Sequence, residues 1–191
     1  MKKKKIETTH RRRMATRTIA CGALLAAISI VMARFLSYAP YGSVRWSLDK
    51  FPLFLAGMLF GPMMGALTGF AADFLGSLMQ FGFNPLLCLP AILYGLFGGI
   101  FSRHLQKKFS LFRLGLSYLF PIVLGSILYQ SYMLAYLYFD GGMVAGLAYY
   151  LGTRSIQFAI MLVAEVAIIY MLMKLKVFTR LGLWNKRGGE E

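Results

Sequence analysis

Four cationic side chains lie apart from the other basic residues of this chain, beside or within apolar segments: Arg34, Arg45, Lys50 and Arg154. A guanidinium group forms two parallel hydrogen bonds with a carboxylate, so the three arginines suit a ligand that carries an acidic group. Long cationic side chains also reach lipid headgroups, and this alternative stays open for each residue. The pattern predicts a basic pocket for an anionic solute, with Lys50 as a flexible charge nearer to solvent.

Aromatic residues flank these cations in the sequence: Tyr38, Tyr41, Trp46, Tyr149 and Tyr150. Such rings can stack on a flat heterocycle. A belt of aromatic side chains at the membrane interface is the alternative interpretation. We expect Tyr38 and Trp46 to take part in binding.

Polar side chains also occur inside the apolar segments. Asp73 falls near mid-membrane, a depth at which an ionisable group usually marks function. Gln157 follows Arg154 by about one helical turn, and Glu165 follows Arg154 by eleven residues, about three turns. The three residues therefore share a helix face. Asp73 and Glu165 suit either a buried cation or ligand nitrogens, and the sequence does not separate these roles. The predicted substrate-binding residues are Arg34, Tyr38, Arg45, Trp46, Asp73, Asn84, Arg154 and Gln157.

The residues that catalysis would require are not arranged for it. His10 and His104 both lie in basic segments outside the apolar runs, so an intramembrane metal pair is not expected. Cys21 and Cys88 stand alone in apolar segments, without a CxxC motif. The sequence also lacks the GxxxxGK[ST] motif that cradles nucleotide phosphates. We therefore expect a protein that is not itself catalytic and that uses no metal or cofactor.

Composition indicates the elements that carry these residues. Of 191 residues, 58% are hydrophobic and 15% are charged, which is typical of a polytopic membrane protein and not of a soluble domain. We predict an all-α bundle of six membrane helices in one domain, residues 18–175. A basic cytoplasmic tail, 1–17, precedes it and a cytoplasmic tail, 176–191, follows it. The predicted helices are 18–36, 51–61, 62–79, 85–101, 114–139 and 149–175.

The distribution of basic residues predicts the orientation of this bundle. Eight lysines or arginines lie in the N-terminal tail, four between the fourth and fifth helices and five at the C-terminal end, which is 17 of the 21 in the chain. Cytoplasmic loops carry such an excess, so both termini are expected in the cytoplasm. The net charge of +14 then reflects topology, and we expect no nucleic-acid partner.

A series of small residues links the second and third helices. Gly57, Gly61, Gly65 and Gly69 recur every four residues, and the next step of the series is Asp73. Small residues at this spacing let another helix approach closely in lipid. Pro62 cannot continue a helix from Gly61, so we predict two helices that meet there. The glycines indicate packing in a membrane bundle, and they do not by themselves indicate transport.

Three segments carry a family resemblance: ALLAAISIVMARFLS at 23–37, FPLFLAGMLFGPMMGALTGFAADFLGSLM at 51–79 and GFNPLLCLPAILYGLFGGI at 82–100. The pattern AGxLFGPxxGAxxGxxxDxxG within the second resembles the substrate-binding S component of an energy-coupling factor (ECF) vitamin transporter. The ARFLS and VRWSLDKFP segments are most similar to the folate group. The resemblance extends over about residues 18–175.

This resemblance implies a division of labour in the bacterial plasma membrane. The resemblance implies an S component that binds a vitamin, folate in this group, at the outer side and docks on a transmembrane T component with two ATPase subunits. Ala23 and Ala27, a small-xxx-small pair on the first helix, are implied to contact the T component. Another carboxylated vitamin such as pantothenate is the alternative ligand. A membrane scaffold that binds no solute is the alternative class of function.

Overall fold

The computed structural model describes residues 2–37, 46–79, 82, 84–107, 109–139, 141–175, 178 and 183, with side chains from residue 16 onward. Within these ranges the chain forms six helical rods. They are α1 (Lys2–Phe35), α2 (Phe51–Phe60), α3 (Pro62–Leu78), α4 (Pro85–Lys107), α5 (Leu111–Tyr138) and α6 (Met143–Lys174). The predicted all-helical architecture is therefore confirmed for the part of the chain that the structure describes.

Four of the rods are long and apolar enough to cross a membrane: residues 16–35 of α1, and α4, α5 and α6. The ten residues of α2 extend only about 15 Å, half of a hydrocarbon core. The 17 residues of α3 extend about 26 Å. Among the described residues, four helices are thus long and apolar enough to cross a membrane, and a count of six spans stays a prediction.

The predicted break between the second and third helices is confirmed. Gly61 has φ +94° and ψ 172°, and it ends α2 and begins α3. A side chain is strained at this positive φ, whereas glycine adopts it freely. Pro62 follows as the first residue of α3, where its missing N–H costs no helical hydrogen bond. This one turn folds α3 back beside α2.

Glycines hold α2, α3 and α4 together with their backbones in contact. A Cβ atom at Gly57 or Gly65 would collide with the carbonyl of Gly95, and one at Gly69 would collide with the carbonyl of Ala91. Three of the four glycines predicted from the sequence therefore face α4, as expected for helices that approach closely in lipid, whereas Gly61 forms the turn and meets no atom there. We call this contact the glycine seam. Its members are Gly57, Gly65, Gly69, Gly95, Gly98 and Gly99.

Several helices are longer than the sequence predicted. Helix α1 begins at Lys2 instead of residue 18, because the basic segment is rich in lysine and arginine, which favour helix. Helix α4 continues to Lys107 instead of 101, with Leu105 fully buried in its last turn. Helix α6 begins at Met143 instead of 149, directly after Gly142 at φ +94°. The cytoplasmic location of the basic tails is an expectation that these helix boundaries do not address.

Helix α5 changes its winding at a proline. It is α-helical over Leu111–Pro121, π-helical over Ile122–Tyr129 and α-helical again over Gln130–Tyr138. The π-helical stretch begins directly after Pro121, which offers no N–H to the helix. The π-helical stretch turns Gly125 and Ser126 toward the interior, where both are buried.

Candidate functional site

Charged side chains from two helices and from the residue before a third helix meet at one level of the bundle. Lys50 immediately precedes α2 and interacts electrostatically with Asp73 of α3 and Glu165 of α6. At 1.5 Å per residue, these three groups lie about 14–16 Å from the ends of α2, α3 and α6 that share one side of the bundle. We call this level, together with the buried polar groups between it and the start of α6, the polar interior.

The carboxylate of Glu165 is the most enclosed charged group of this region. The Glu165 side chain is 1% exposed, and Tyr118 donates a hydrogen bond from Oη to Glu165 Oε2 at 2.7 Å. The ring of Tyr118 lies 4.8 Å from the ring of Phe54 and 5.4 Å from that of Tyr94. These contacts hold the carboxylate in one orientation.

Two further hydroxyl groups are hydrogen bonded to each other next to Tyr118. Tyr94 Oη and Ser126 Oγ are 3.1 Å apart, and both residues are fully buried. Their hydrogen bond joins α4 to the π-helical stretch of α5. The altered winding of α5 therefore places a hydroxyl group that supports the tyrosines around Glu165.

Lys50 lies inside the protein and not near solvent, so that expectation from the sequence is wrong. Lys50 Nζ forms an ion pair with Asp49 Oδ2 at 2.8 Å, and the two side chains are only 19% and 16% exposed. The carbonyl of Asp49 accepts a hydrogen bond from Ser29 Oγ of α1 at 2.6 Å. Lys50 and Asp49 can both be mostly buried because each compensates the charge of the other.

Asp73 lies at the end of the contact between α3 and α4. The pairs Gly65–Gly95 and Gly69–Ala91 establish an antiparallel register, and the next position of α3 is Asp73. Its carboxylate is hydrogen bonded to the thiol of Cys88 and interacts with Lys50. The predicted small-residue series thus ends in a carboxylate at the edge of the polar interior.

Arg154 and Gln157 lie on the inward side of α6, above Glu165. The Arg154 guanidinium carbon is 5.4 Å from the centre of the Phe158 ring, and Gln157 is buried. Eleven residues separate Arg154 from Glu165, a distance of about 16 Å along the helix. Gln157 and Glu165, which the sequence predicts on one face of the helix, are both buried.

Three other predicted site residues have specific contacts of their own. Arg34 Nη2 donates a hydrogen bond to the carbonyl of Gly76 at 2.6 Å, which joins α1 to α3. Trp46 packs partly buried against the hydrophobic core. Asn84 Oδ1 accepts a hydrogen bond from the N–H of Leu86 at 3.1 Å, which satisfies an amide at the start of α4. Tyr38 and Arg45 lie outside the described residues.

Four buried polar atoms accept or donate no hydrogen bond within the described part of the chain: Ser47 Oγ, Ser131 Oγ, Arg154 Nε and Glu165 Oε1. Buried polar atoms in proteins are nearly always paired. Leaving one unpaired costs about 1–3 kcal/mol, and more for a charged group. We call these four the unpaired set. They include one cationic and one anionic group, so a solute with both an acid and N–H donors would complete them.

The first helix presents two faces of small residues. Gly22, Ala26 and Ser29 are buried, and a Cβ atom at Gly22 would lie 3.2 Å from Thr68 Oγ1 of α3. Ala23 and Ala27 lie on the other side and are exposed. Ala23 and Ala27 are therefore not buried against another helix of this chain.

Comparison with known proteins identifies the family. The family described as "ECF transporter, substrate-specific component" matches residues 17–174. The chain belongs to this family. Its S-component fold is also similar to a solved structure described as "Crystal structure of FolT bound with folic acid", with a TM-score of 0.68 and 29% identity over 81% of this chain and 90% of that chain. Among curated proteins, none matches this chain.

Membership confirms the predicted resemblance, including its likeness to the folate group. The S component is the substrate-specific part of a transporter and not an enzyme. Four long apolar helices agree with a multi-pass membrane protein.

The structure also reveals groups that the predicted site omitted. Tyr118 and Tyr94 lie in apolar runs that contain many other aromatic residues, so neither stood out in the sequence. The sequence predicted Lys50 only as a flexible charge near solvent. The one available signal was Glu165, because a buried carboxylate requires a nearby donor.

Proposed function

We propose that this S component binds a folate-type vitamin in the polar interior. The unpaired set carries the proposal, because its members are buried and lack partners among the described residues. A solute that provides a carboxylate and N–H donors would complete the two charged members. The folic acid bound to the similar FolT structure has both kinds of group, which supports a folate-type ligand.

Arg154 is the proposed partner of the ligand carboxylate. Its guanidinium is held over Phe158, and its Nε atom is unpaired within the described residues. Arginine forms two parallel bonds with a carboxylate, which adds orientation as well as energy. Trp46 supplies an aromatic surface near the start of α2. Tyr38, Arg45, Asp73, Asn84 and Gln157 remain proposed members of the site, as does Arg34.

We also propose that transport requires a T component and two ATPase subunits, with Ala23 and Ala27 as the contact. The exposure of this pair and membership of the family support the proposal. A tryptophan side chain would hold two helices apart. Ala27→Trp should abolish vitamin uptake by cells while the purified variant binds the vitamin as the parent does. Equal loss of uptake and binding would instead mean that the residue packs within the S component.

The proposed topology has six spans in the bacterial plasma membrane, with both termini in the cytoplasm. The excess of basic residues at both ends of the chain and where α4 ends and α5 begins supports this orientation. Cysteines introduced at Ser43 and Gln106, in a chain without Cys21 and Cys88, should be labelled from outside and from inside respectively. Labelling of both from the same side would overturn it.

Titration of the purified protein distinguishes the ligands. We expect folate to bind saturably with one molecule per chain, measured by calorimetry and by tryptophan fluorescence, and pantothenate to bind far more weakly. Binding of pantothenate without folate would favour another carboxylated vitamin. Binding of neither would favour the scaffold interpretation and overturn the folate proposal.

A further inference from the structure

The outer surface where α4 meets α5 carries a cluster of aromatic rings. The ring of Phe120 in α5 lies 6.3 Å from that of Phe97 and 5.1 Å from that of Phe101, both in α4. Phe97 and Phe101 stack on each other at 6.1 Å. None of the three side chains is buried, and Phe120 is 44% exposed. We call these three rings the phenylalanine cluster.

Two exposed basic residues continue the helix faces that carry this cluster. His104 follows Phe101 by three residues, about one turn of α4, and Arg113 precedes Phe120 by seven residues, about two turns of α5. Because residues 108–110 connect the two helices, both basic residues lie at the same end of the cluster. Along α5, that end is about 10 Å from the level of Phe120. We call His104 and Arg113 the basic pair.

The basic pair has no acidic neighbour among the side chains that the structure describes. The acidic side chains in that part of the chain are those of Asp49, Asp73 and Glu165, and all three interact with Lys50 in the polar interior. The positive charge at the end of the phenylalanine cluster is therefore not compensated by these residues. A partner for this surface should supply a negative charge beside an apolar body.

We propose that this surface binds one anionic phospholipid, with its phosphate at the basic pair and an acyl chain across the phenylalanine cluster. Helices α4 and α5 are both long and apolar enough to cross a membrane, so the cluster would lie in hydrocarbon and the basic pair at the headgroups. A guanidinium forms two parallel bonds with a phosphate, and histidine has at least one N–H donor in either protonation state. Basic pockets between membrane helices bind anionic headgroups in this way.

This lipid site does not depend on the proposed vitamin. It lies on the outer surface of α4 and α5, whereas the proposed vitamin site is the buried polar interior. It also lies apart from the proposed contact with the T component, because α1, which carries Ala23 and Ala27, packs on α2 and α3. Failure of either proposal would leave the other standing.

General attraction of basic residues to an anionic membrane surface is the competing explanation. Such attraction depends on the number of charges near the surface and not on the helix face that carries them. Arg103 separates the two explanations. It is exposed and adjacent to His104 in the sequence, but it follows Phe101 by two residues and so lies on about the opposite side of α4.

The test compares two lipids on detergent-purified full-length chains. Phosphatidylglycerol and phosphatidylcholine with identical acyl chains are titrated, and native mass spectrometry counts the bound molecules. The parent should retain one phosphatidylglycerol and bind it at least tenfold more tightly than phosphatidylcholine, whose choline cation would lie beside the basic pair. Arg113→Ala should weaken phosphatidylglycerol binding about tenfold or more and reduce this preference, as expected for lost hydrogen bonds to a charged group.

Three further variants make the result interpretable. His104→Ala should reduce the preference in the same direction by a smaller factor, which keeps the test valid if Arg113→Ala does not fold. Phe120→Ala should weaken both lipids alike, several-fold, because it acts on the acyl chain. Arg103→Ala should bind both lipids as the parent does, although it removes the same charge as Arg113→Ala.

Four outcomes would overturn the proposal. The parent could bind the two lipids equally, or Arg103→Ala could lose as much affinity as Arg113→Ala, which would indicate general attraction. Glycerol phosphate could raise the melting temperature as much as phosphatidylglycerol, which would indicate a site for a soluble phosphate ester. Finally, the parent could retain no lipid while Arg113→Ala stops uptake by cells, which would assign the surface to a protein of the transporter.

Discussion

The glycine seam and the polar interior lie in the same bundle and differ in how complete their contacts are. In the seam, backbone meets backbone, and added Cβ atoms would collide with carbonyl groups of the facing helix. In the polar interior, four buried polar atoms lack partners among the described residues. The comparison indicates that close packing fixes the contact of α2, α3 and α4, whereas the polar interior keeps groups whose partners we propose to come from a ligand.

Breaking the seam should have the largest effect. Gly95→Ala places a Cβ against the carbonyl of Gly65, and because both atoms belong to helix backbones, neither can yield cheaply. We expect a loss of stability of about 3 kcal/mol or more, the upper range for overpacking. The loss would appear as a lower melting temperature and reduced yield of folded protein in detergent.

Gly115→Ala is the matched control for this prediction. A Cβ at Gly115 meets no atom within 4 Å, and the residue lies in α5. Alanine favours helix over glycine by up to about 1 kcal/mol, so this variant should be as stable as the parent or more so. Equal melting temperatures for the two variants would contradict the account of the seam.

Removing the cation of the polar interior should have the next largest effect. Loss of a buried charged partner typically costs about 2–5 kcal/mol. Arg154→Ala should therefore weaken folate binding by tens- to thousands-fold, measured by calorimetry. Arg154→Lys should recover only part of the loss, because an ammonium group lacks the fork of donors.

Arg103→Ala serves as the control for charge alone. Arg103 is exposed near the end of α4, among the basic residues that we expect to face the cytoplasm. Its removal should leave binding unchanged. If Arg154→Ala also binds as the parent does, Arg154 is a headgroup contact and the proposed site is misplaced.

Removing an aromatic surface should have the smallest effect of the three. Trp46 is partly buried against the core, so Trp46→Ala would remove a stacking surface while leaving the charged groups in position. We expect an affinity loss of a few-fold, about 1 kcal/mol, with recovery in Trp46→Phe. A loss larger than that of Arg154→Ala would reverse the proposed ranking of charge over stacking.

The local features of the fold were predictable from the sequence. Gly61 followed by Pro62 predicted a break, and the four-residue spacing of the glycines predicted a close helix contact. Both depend only on neighbouring residues. The sequence could not predict that Gly65 faces Gly95, since the same spacing suits contact with any helix that presents small residues.

The site was predictable only in part, for two physical reasons. The distribution of basic residues indicates a side of the membrane and gives no depth, so Lys50 was expected near solvent and is instead enclosed beside Asp49. The hydrogen bond from Tyr118 to Glu165 joins residues 47 apart in sequence, and no local pattern encodes such a pair. By contrast, Gln157 and Glu165 follow helical periodicity, so the sequence predicts that they share one face of the helix.

An experimental structure of the full chain with folate bound tests the central claim most directly. The account predicts folate in the polar interior, with a ligand carboxylate within about 3 Å of the Arg154 guanidinium, the usual distance for a charge-assisted hydrogen bond. The unpaired set would then lose its charged members to contacts with the ligand. Folate bound elsewhere, with Arg154 directed toward lipid headgroups, would contradict the account.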